Sequence, residues 1–410
     1  VKICIVDGYS TGAALARRLH SLGIECIHLQ SQAQTNSYLQ RSFKSDDYTH
    51  DLGHCTDTTA LTAQLTALGV GRIIAGSESG VTLAETLALQ LGLPTNSPDG
   101  VAARRDKALM ARAVRAAGLA VPLGTVVHGP DEAADWFTAS GLDHAVVKPL
   151  ASAATDGVRF CTTAADVRDA SAAVLDTPNV FGQRNTAVLV QERLIGEEYY
   201  LNTVSAGGDH RVAEIWHYSK QTTGTTTPIY DYEEPVTPDS PEATVLREFT
   251  LQVLDALGIT DSAGHTEVML TARGPVLIES AARLGGATAP AIVEKHLGTS
   301  QTSLLAATLG DPGALRDFDD RRSQWRGRIR NVEFINHVAG LASATATDKI
   351  ASLPSAVAVC SSATPGAPLE PTRDLISSPG YVYLAAEDDS TIHRDYATLR
   401  QWEREGLHIE

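Results

Sequence analysis

The stretch from His265 to Gly286 constrains this chain more than any other. Glu267 stands in His265-Thr266-Glu267-Val268, and Glu279, twelve positions on, ends Val276-Leu277-Ile278-Glu279. Between them Leu270-Thr271-Ala272-Arg273-Gly274-Pro275 reads as a tight turn. Two short β-like runs joined in this way make an antiparallel hairpin, across which the two carboxylates are expected to face each other. Side chains alternate faces along a strand, which puts His265 on the face of Glu267. Two carboxylates aimed at one point repel unless a hard cation lies between them, and Mg²⁺ takes oxygen ligands, usually one or two carboxylates with phosphate and water. Arg283 follows Glu279 by four residues and carries a planar fork suited to a carboxylate or phosphate. A solvated hairpin with two surface acids and a capping arginine would give the same letters. The apolar run Pro275-Val276-Leu277-Ile278 argues for burial of the strand, and a glutamate at its end then requires a partner.

Length and charge narrow the class. With 410 residues and 43% hydrophobic content the chain has enough apolar surface for two or three domains. A net charge of −16 opposes a nucleic-acid partner, because phosphate neutralisation would be repulsive over most of the surface. No apolar run reaches the ~20 residues that span a bilayer, so neither a membrane nor a nucleic acid is expected, and the location is read as cytoplasmic. Five widely separated cysteines lack CxxC spacing or histidine pairing, which suggests buried thiols rather than disulfides or zinc. Only seven lysines stand among 33 basic residues, so Lys107 and Lys148 draw notice.

The first hundred residues alternate apolar runs and helix-like stretches, a βαβ pattern that implies a parallel sheet. Asp7-Gly8-Tyr9-Ser10-Thr11-Gly12 lacks GxGxxG spacing and reads more simply as a tight βα turn than as a dinucleotide site. Ser77-Glu78-Ser79-Gly80 opens a helix, either as an ordinary N-cap or as a place where free N–H groups meet an anion. A helix is expected over 101–117, carrying Lys107. Ala145-Val146-Val147-Lys148-Pro149 is a strand ending in lysine and proline, followed by a small polar loop with Ser152 and Thr155. A buried strand ending in Gln191-Glu192 runs through Leu194 to Glu198. Residues 221–234 read as a Thr-rich, then acidic-aromatic loop, a lid or a surface insertion. A helix over 241–258 and a final small α/β piece complete the pattern.

Taken in order, a lysine on a helix, a lysine at a strand end, Gln191-Glu192-x-Leu194-x-Gly196-x-Glu198-Tyr199, and two glutamates before Arg283 and Gly285-Gly286 resemble the ATP-grasp superfamily. His265-Thr266-Glu267-Val268 with Ile278-Glu279-Ser280-Ala281-Ala282-Arg283 most resembles its biotin-carboxylase-like branch, which contains the L-amino acid ligases. The resemblance implies an α/β ATP-grasp fold with an N-terminal parallel-sheet, Rossmann-like domain over 1–100. It also implies a grasp core over 101–310, with a small lid subdomain near 120–190, and a C-terminal α+β lobe over 311–410. It implies ATP as cosubstrate and two Mg²⁺ ions, with Mn²⁺ as an alternative. Lys107 and Lys148 would meet the phosphates, Ser152 and Thr155 would assist, Gln191, Glu192 and Leu194 would hold the adenine, and Glu198 the ribose. Glu267 and Glu279 would bind metal, and Arg283 a substrate carboxylate or acyl phosphate.

Two departures stand out: Ala281 where many members have asparagine, which makes a three-ligand metal site unsafe, and a phosphate loop without glycine before Gly157. The implied reaction activates a carboxylate as an acyl phosphate and transfers it to an amine, joining two amino acids through an α- or side-chain carboxyl group, the latter as in γ-glutamyl ligation. A homodimer is the implied assembly. Carboxylation of a small metabolite and non-catalytic nucleotide binding are the alternatives. Gly285 and Gly286 serve either to leave room for a donor or to allow close backbone packing.

Overall fold

In the computed structural model, residues 1–35, 37–152, 156–179, 182–221, 229–286, 288–375 and 377–410 are described. They form two compact units, one of Val1–Val121, Tyr200–Ile215 and Val236–Gln324, the other of Pro122–Tyr199, Trp216–Pro235 and Trp325–Glu410.

The first unit opens with the expected βα alternation. Strands Lys2–Val6, Cys26–Gln30 and Val70–Ala75 and helices Thr11–Ser21 and Thr58–Ala67 fall within about two residues of the runs that announce them, and helix Val81–Gln90 follows the helix start read at Ser77-Glu78-Ser79-Gly80. The sheet is parallel, with Lys2–Val6 between Cys26–Gln30 and Val70–Ala75. Its outer strand, His50–His54, has no apolar run to reveal it, because an edge strand can be made of His, Asp and Gly. Ile3, Ile5, Leu15 and Leu19 share one core with Leu284, Leu304 and Leu305. The parallel sheet and the loop after Arg283 are thereby fixed to the same apolar mass.

The hairpin forms as the sequence predicts. Ala263–Thr271 and Gly274–Ala281 pair antiparallel, and Gly274 takes the positive φ of 97° that the turn demands. The helix expected over 101–117 starts later, at Lys107. Asp106 has extended backbone and its side chain accepts N–H from Ala108 at 2.8 Å and Leu109 at 2.9 Å, so it caps the helix rather than continuing it. The cap leaves Arg104 free of the helix to meet buried Glu85 through two bonds of 2.8 and 2.7 Å.

The second unit holds an antiparallel sheet in the order Gly124–Val127, Val188–Glu192, Ala145–Pro149, Arg159–Cys161, backed by helices Pro130–Ser140 and Ala164–Val174. Val127, Phe137, Val147, Val167 and Val190 make its core. A second core lies between strands Arg328–Glu333 and Gly380–Ala386 and helix Asp389–Arg404. Strands Gly196–Ala206 and Asp209–Gln221 each run from one unit into the other.

One expectation is corrected here. Part of the segment read as an acidic-aromatic loop is a strand, Ile229–Pro235, while residues 222–228 lie outside the described residues. Ile229 and Tyr230 are buried, and the acid that disguised the strand, Asp231, is neutralised by Arg400, whose Nε and Nη2 donate to its Oδ1 at 2.9 and 2.6 Å. Such pairing is invisible locally because Arg400 lies on the last helix.

Among the described residues no helix is long and apolar enough to cross a membrane. All five cysteines are free; Cys4, Cys26 and Cys161 are buried, with burial pushing the Cys4 thiol up to about 12, whereas Cys360 is exposed.

Buried Glu333 carries a testable consequence. Burial, with Glu233 close by, pushes its carboxyl from 4.5 up to about 8. The folded protein therefore keeps a proton that the unfolded chain releases above pH 4.5, so stability falls as pH rises from there and levels off above about 8. Glu333→Gln, neutral throughout, should lose this slope. Thermal melts of both proteins at about pH 5 and about pH 9 should show the variant gaining on the wild type at the higher pH.

Candidate active site

The opposed carboxylates are real. Glu267 and Glu279 are direct partners across the hairpin, and the register slips between Glu267 and Val268, a local irregularity beside the pair. Their side chains are 23% and 26% exposed, sufficiently open to reach a ligand. Positive charge is already present: Lys107 Nζ, at the first turn of its helix, lies 3.0 Å from Glu279 Oε2. Among the described residues no group of three or more His, Cys, Asp and Glu is arranged to hold a metal ion. The two opposed carboxylates are hard oxygen donors, of the kind that suits Mg²⁺ when phosphate and water complete the shell. Ala281, at the position where a third ligand was in doubt, pairs with His265 and is buried.

Arg283 reaches a third carboxylate that the sequence did not mark as a site residue. Its Nε donates to Glu78 Oε2 at 2.8 Å and its Nη1 to the Leu284 carbonyl at 2.7 Å. Glu78 also accepts from Arg105, at Oε1 and, at 3.1 Å, at its backbone carbonyl. Burial works to raise the Glu78 carboxyl, but the guanidiniums of Arg283 and Arg105 outweigh it and hold the group below the usual carboxylate range. Arg283 shows the converse: burial disfavours its charge, and Glu78, with Glu279 and Glu267 behind it, raises it.

His265 is tied to the Glu267–Glu279 pair from behind. Asn202 donates to Glu214 Oε2 at 3.4 Å, which turns its carbonyl oxygen to His265 Nδ1 at 2.8 Å, so that ring nitrogen carries the proton. Nε2 then faces Glu267 Oε1 at 3.7 Å. Glu214 Oε1 accepts the backbone N–H of Gln301 at 2.6 Å, and Gln301 Oε1 accepts that of Gly285 at 2.9 Å. A chain of hydrogen bonds through buried Asn202, Glu214 and Gln301 thus connects His265, the neighbour of Glu267, with Gly285 after Arg283. Gly285 and Gly286 differ in their surroundings. A Cβ on Gly285 would lie 2.7 Å from Asn202 Oδ1, whereas one on Gly286 would meet nothing described within 4 Å. Close packing explains the first and open space the second.

The remaining expected residues lie in the second unit. Lys148 and Gln191 are buried on neighbouring strands, in register with Leu189 and Val146. Glu192 is fixed by reciprocal bonds to Leu123, backbone N–H to carbonyl at 2.7 Å and carboxylate from N–H at 3.2 Å. Leu194 occupies the short irregular link before Glu198, and Glu198 Oε1 accepts from Lys220 Nζ at 2.6 Å. Ser152 donates to Asp156 Oδ2 at 2.6 Å. Thr155 and Ala287 lie outside the described residues.

With this geometry in place the comparisons become informative. Residues 143–291 match the model of the ATP-grasp domain. Dapdiamide A synthase of Enterobacter agglomerans is 31% identical over 99% of this chain and 97% of its own length. The chain belongs to the ATP-grasp family. Its fold is also that of the L-amino acid ligase of Bacillus licheniformis, with a TM-score of 0.75 at 15% identity over 98% of this chain and 97% of that one. Carboxyaminoimidazole ribonucleotide synthase of Aspergillus clavatus, solved with ATP, gives 0.72 at 15% identity over 99% and 98%. The chain is an ATP-grasp ligase, and ATP-grasp enzymes use ATP and Mg²⁺.

One arrangement in this ATP-grasp chain imitates a hydrolase. Ser205 Oγ lies 2.7 Å from His210 Nδ1, and His210 Nε2 lies 3.2 Å from Asp255 Oδ1. The burial is inverted for catalysis, since Ser205 is buried while the Asp255 side chain is 71% exposed. A buried hydroxyl cannot attack a substrate, so the chain of bonds is structural.

Sequence reasoning missed Glu78, Arg105, Asn202, Glu214, Gln301 and Lys220. Glu78 and Arg105 had a faint signal, Glu78 at a helix start and Arg105 directly before a capping Asp-Lys pair. The others are single polar residues on strands or at a helix start, with nothing in local spacing to link them.

The glycine contrast gives a stability test. Gly285→Ala should destabilise by about 1–3 kcal/mol through the clash with Asn202, whereas Gly286→Ala should stay within about 0.5 kcal/mol of wild type. Denaturant unfolding of the three proteins reads the difference.

Proposed function

We propose that this ATP-grasp ligase forms an amide bond between two L-amino acids or close analogues through an acyl phosphate, releasing ADP and phosphate. The observation that carries the reading is the set of Lys107, Arg283 and Arg105 around Glu267, Glu279 and Glu78. Positioned charge of this kind suits phosphoryl transfer, which requires little covalent chemistry from the protein. The 31% identity to dapdiamide A synthase over nearly the whole chain supports an amide-forming reaction.

In this reading the donor carboxylate attacks the γ-phosphate of ATP, and an amine then attacks the acyl carbon and expels phosphate. Glu267 and Glu279 hold Mg²⁺, which when bound neutralises the charge moving among the phosphate oxygens. His265 keeps Glu267 turned toward that position. Lys107 leaves its contact with Glu279 to meet phosphate, and Lys148 is a second phosphate-binding lysine. Gln191, Glu192 and Leu194 receive the adenine and Glu198 the ribose hydroxyls, for which Lys220 must yield. Ser152 and Thr155 assist at the phosphates. Arg283 holds the donor carboxylate and then the oxyanion of the tetrahedral intermediate. Activation of a side-chain carboxyl, as in γ-glutamyl ligation, and a homodimeric assembly belong to the same reading.

The deciding experiment measures phosphate release from ATP and Mg²⁺ across single amino acids and all pairs, with mass spectrometry of products. Pair-dependent release and a mass equal to the sum less water are expected. Release with single acids and bicarbonate would favour a carboxylase instead. Two variants assign the roles. Glu279→Ala should abolish ADP formation, and Arg283→Ala should bind ATP as wild type does but form no amide, with normal turnover in either case refuting that residue's role.

A further inference from the structure

We propose that Glu78 is a positioning residue for Arg283, one that decides which edge of the guanidinium an acyl donor meets. The proposal deepens the ligase reading and rests on it. A guanidinium has five N–H donors in one plane. Glu78 Oε2 takes the Nε–H of Arg283 at 2.8 Å, and the Leu284 carbonyl takes one Nη1–H at 2.7 Å. The side-on edge, which needs Nε, is therefore occupied by the protein's own carboxylate. The other three N–H groups lie at the Nη end, so a donor carboxylate or acyl phosphate meets Arg283 end-on.

Glu78 cannot swing away to release that edge. Its Oε1 and its backbone carbonyl are both held by Arg105. Arg105 in turn precedes Asp106, the helix cap, and Lys107, which reaches Glu279 at 3.0 Å. Glu279 lies four residues before Arg283 on the same strand and its exit. The contacts thus close a ring, Arg283 to Glu78 to Arg105, along the chain to Lys107, then to Glu279 and back. Three separate pieces of chain supply its corners: the turn after Val70–Ala75, the start of helix Lys107–Ala116, and the hairpin. The part of the ring that stays closed when Lys107 turns to phosphate, Arg283 to Glu78 to Arg105, fixes the acyl-binding arginine against the start of the helix that carries Lys107, and so against the phosphate an acyl group must meet.

The test is steady-state kinetics with the amino-acid pair that the wild-type enzyme converts in the pairwise screen, run beside circular dichroism. Glu78→Gln keeps the shape but turns an NH₂ toward one guanidinium. It should lower kcat/KM for the donor by about tenfold or more while leaving KM for ATP within about twofold. Glu78→Asp, which keeps the charge, should recover part of the loss. An unchanged donor kcat/KM in Glu78→Gln, an ATP KM that rises in step with the donor's, or Glu78→Asp no better than Glu78→Gln would each overturn the proposal. If Glu78→Gln does not fold, Arg105→Met carries the test, since it leaves the Glu78 to Arg283 bond but frees the carboxylate to rotate. A selective loss for the donor is expected there, and none would overturn the proposal. A wild-type enzyme that converts no pair sinks the ligase reading and this proposal together, whereas an active wild type with indifferent variants sinks only this one.

Discussion

Two glutamates set directly opposite each other across a hairpin cannot stay there as bare charges. At a few ångströms and in a partly shielded setting their repulsion is on the order of several kcal/mol, a large fraction of what holds a domain together. The first unit meets this cost with cations placed from elsewhere. Lys107 reaches Glu279 from the first turn of its helix, and Arg283 adds positive charge from the same strand's exit. Each cation then needs its own fixed place, and this explains why the capping Asp106, the shared Glu78 and the adjacent Arg105 are where they are. The geometry of the site is in this sense a consequence of one electrostatic problem.

The packing beneath the site has the same logic. Leu284 sits in the core that joins the parallel sheet to Leu304 and Leu305, so the residue next to Arg283 is held by apolar contacts while Arg283 is held by charge. Gln301, at the start of the same helix, donates to the carbonyls of Thr203 and Gly264 at 2.9 and 2.7 Å and accepts from Gly285. Gln301 is buried, and leaving any of these groups unpaired would cost more than the bond itself contributes. The polar relay therefore acts as a rigid spacer between the hairpin and the glycine loop rather than as decoration of a core.

Much of this was legible in the sequence, and what was hidden has a common cause. The hairpin, its register and the face shared by His265 and Glu267 follow from strand alternation and a turn with Gly274, all of them local signals. The ATP-grasp fold follows from the order of motifs. Glu78, by contrast, lies 205 positions from Arg283, and Asp231 lies 169 from Arg400. Long-range charge pairs leave no periodic trace, because their partners are chosen by the folded sheet and not by neighbouring residues. The same blindness made Ile229–Pro235 look like a loop: its acids counted against a strand until Arg400 was seen to neutralise one. The late start of helix Lys107–Ala116 is a different failure, a cap misread as helix interior.

The contacts seen without ligands also bear on how such a site would be used. Lys107 spends its charge on Glu279, and Lys220 on Glu198, each of them an expected ligand-binding carboxylate. Both ion pairs are partly exposed, with side chains between 10% and 26% accessible, so neither is so deeply desolvated that breaking it strands a buried charge. Glu78 is as accessible as Glu198 but is held differently, since two guanidiniums share its carboxylate and Arg105 also bonds its backbone carbonyl. A pair that can exchange partners at modest cost is suited to a group that must receive metal or ribose. A carboxylate held from both sides is suited to a group that must not move while a substrate is turned over. The division between exchangeable and fixed ion pairs thus separates the carboxylates that bind from the carboxylate that positions, on the number of cations that hold each one.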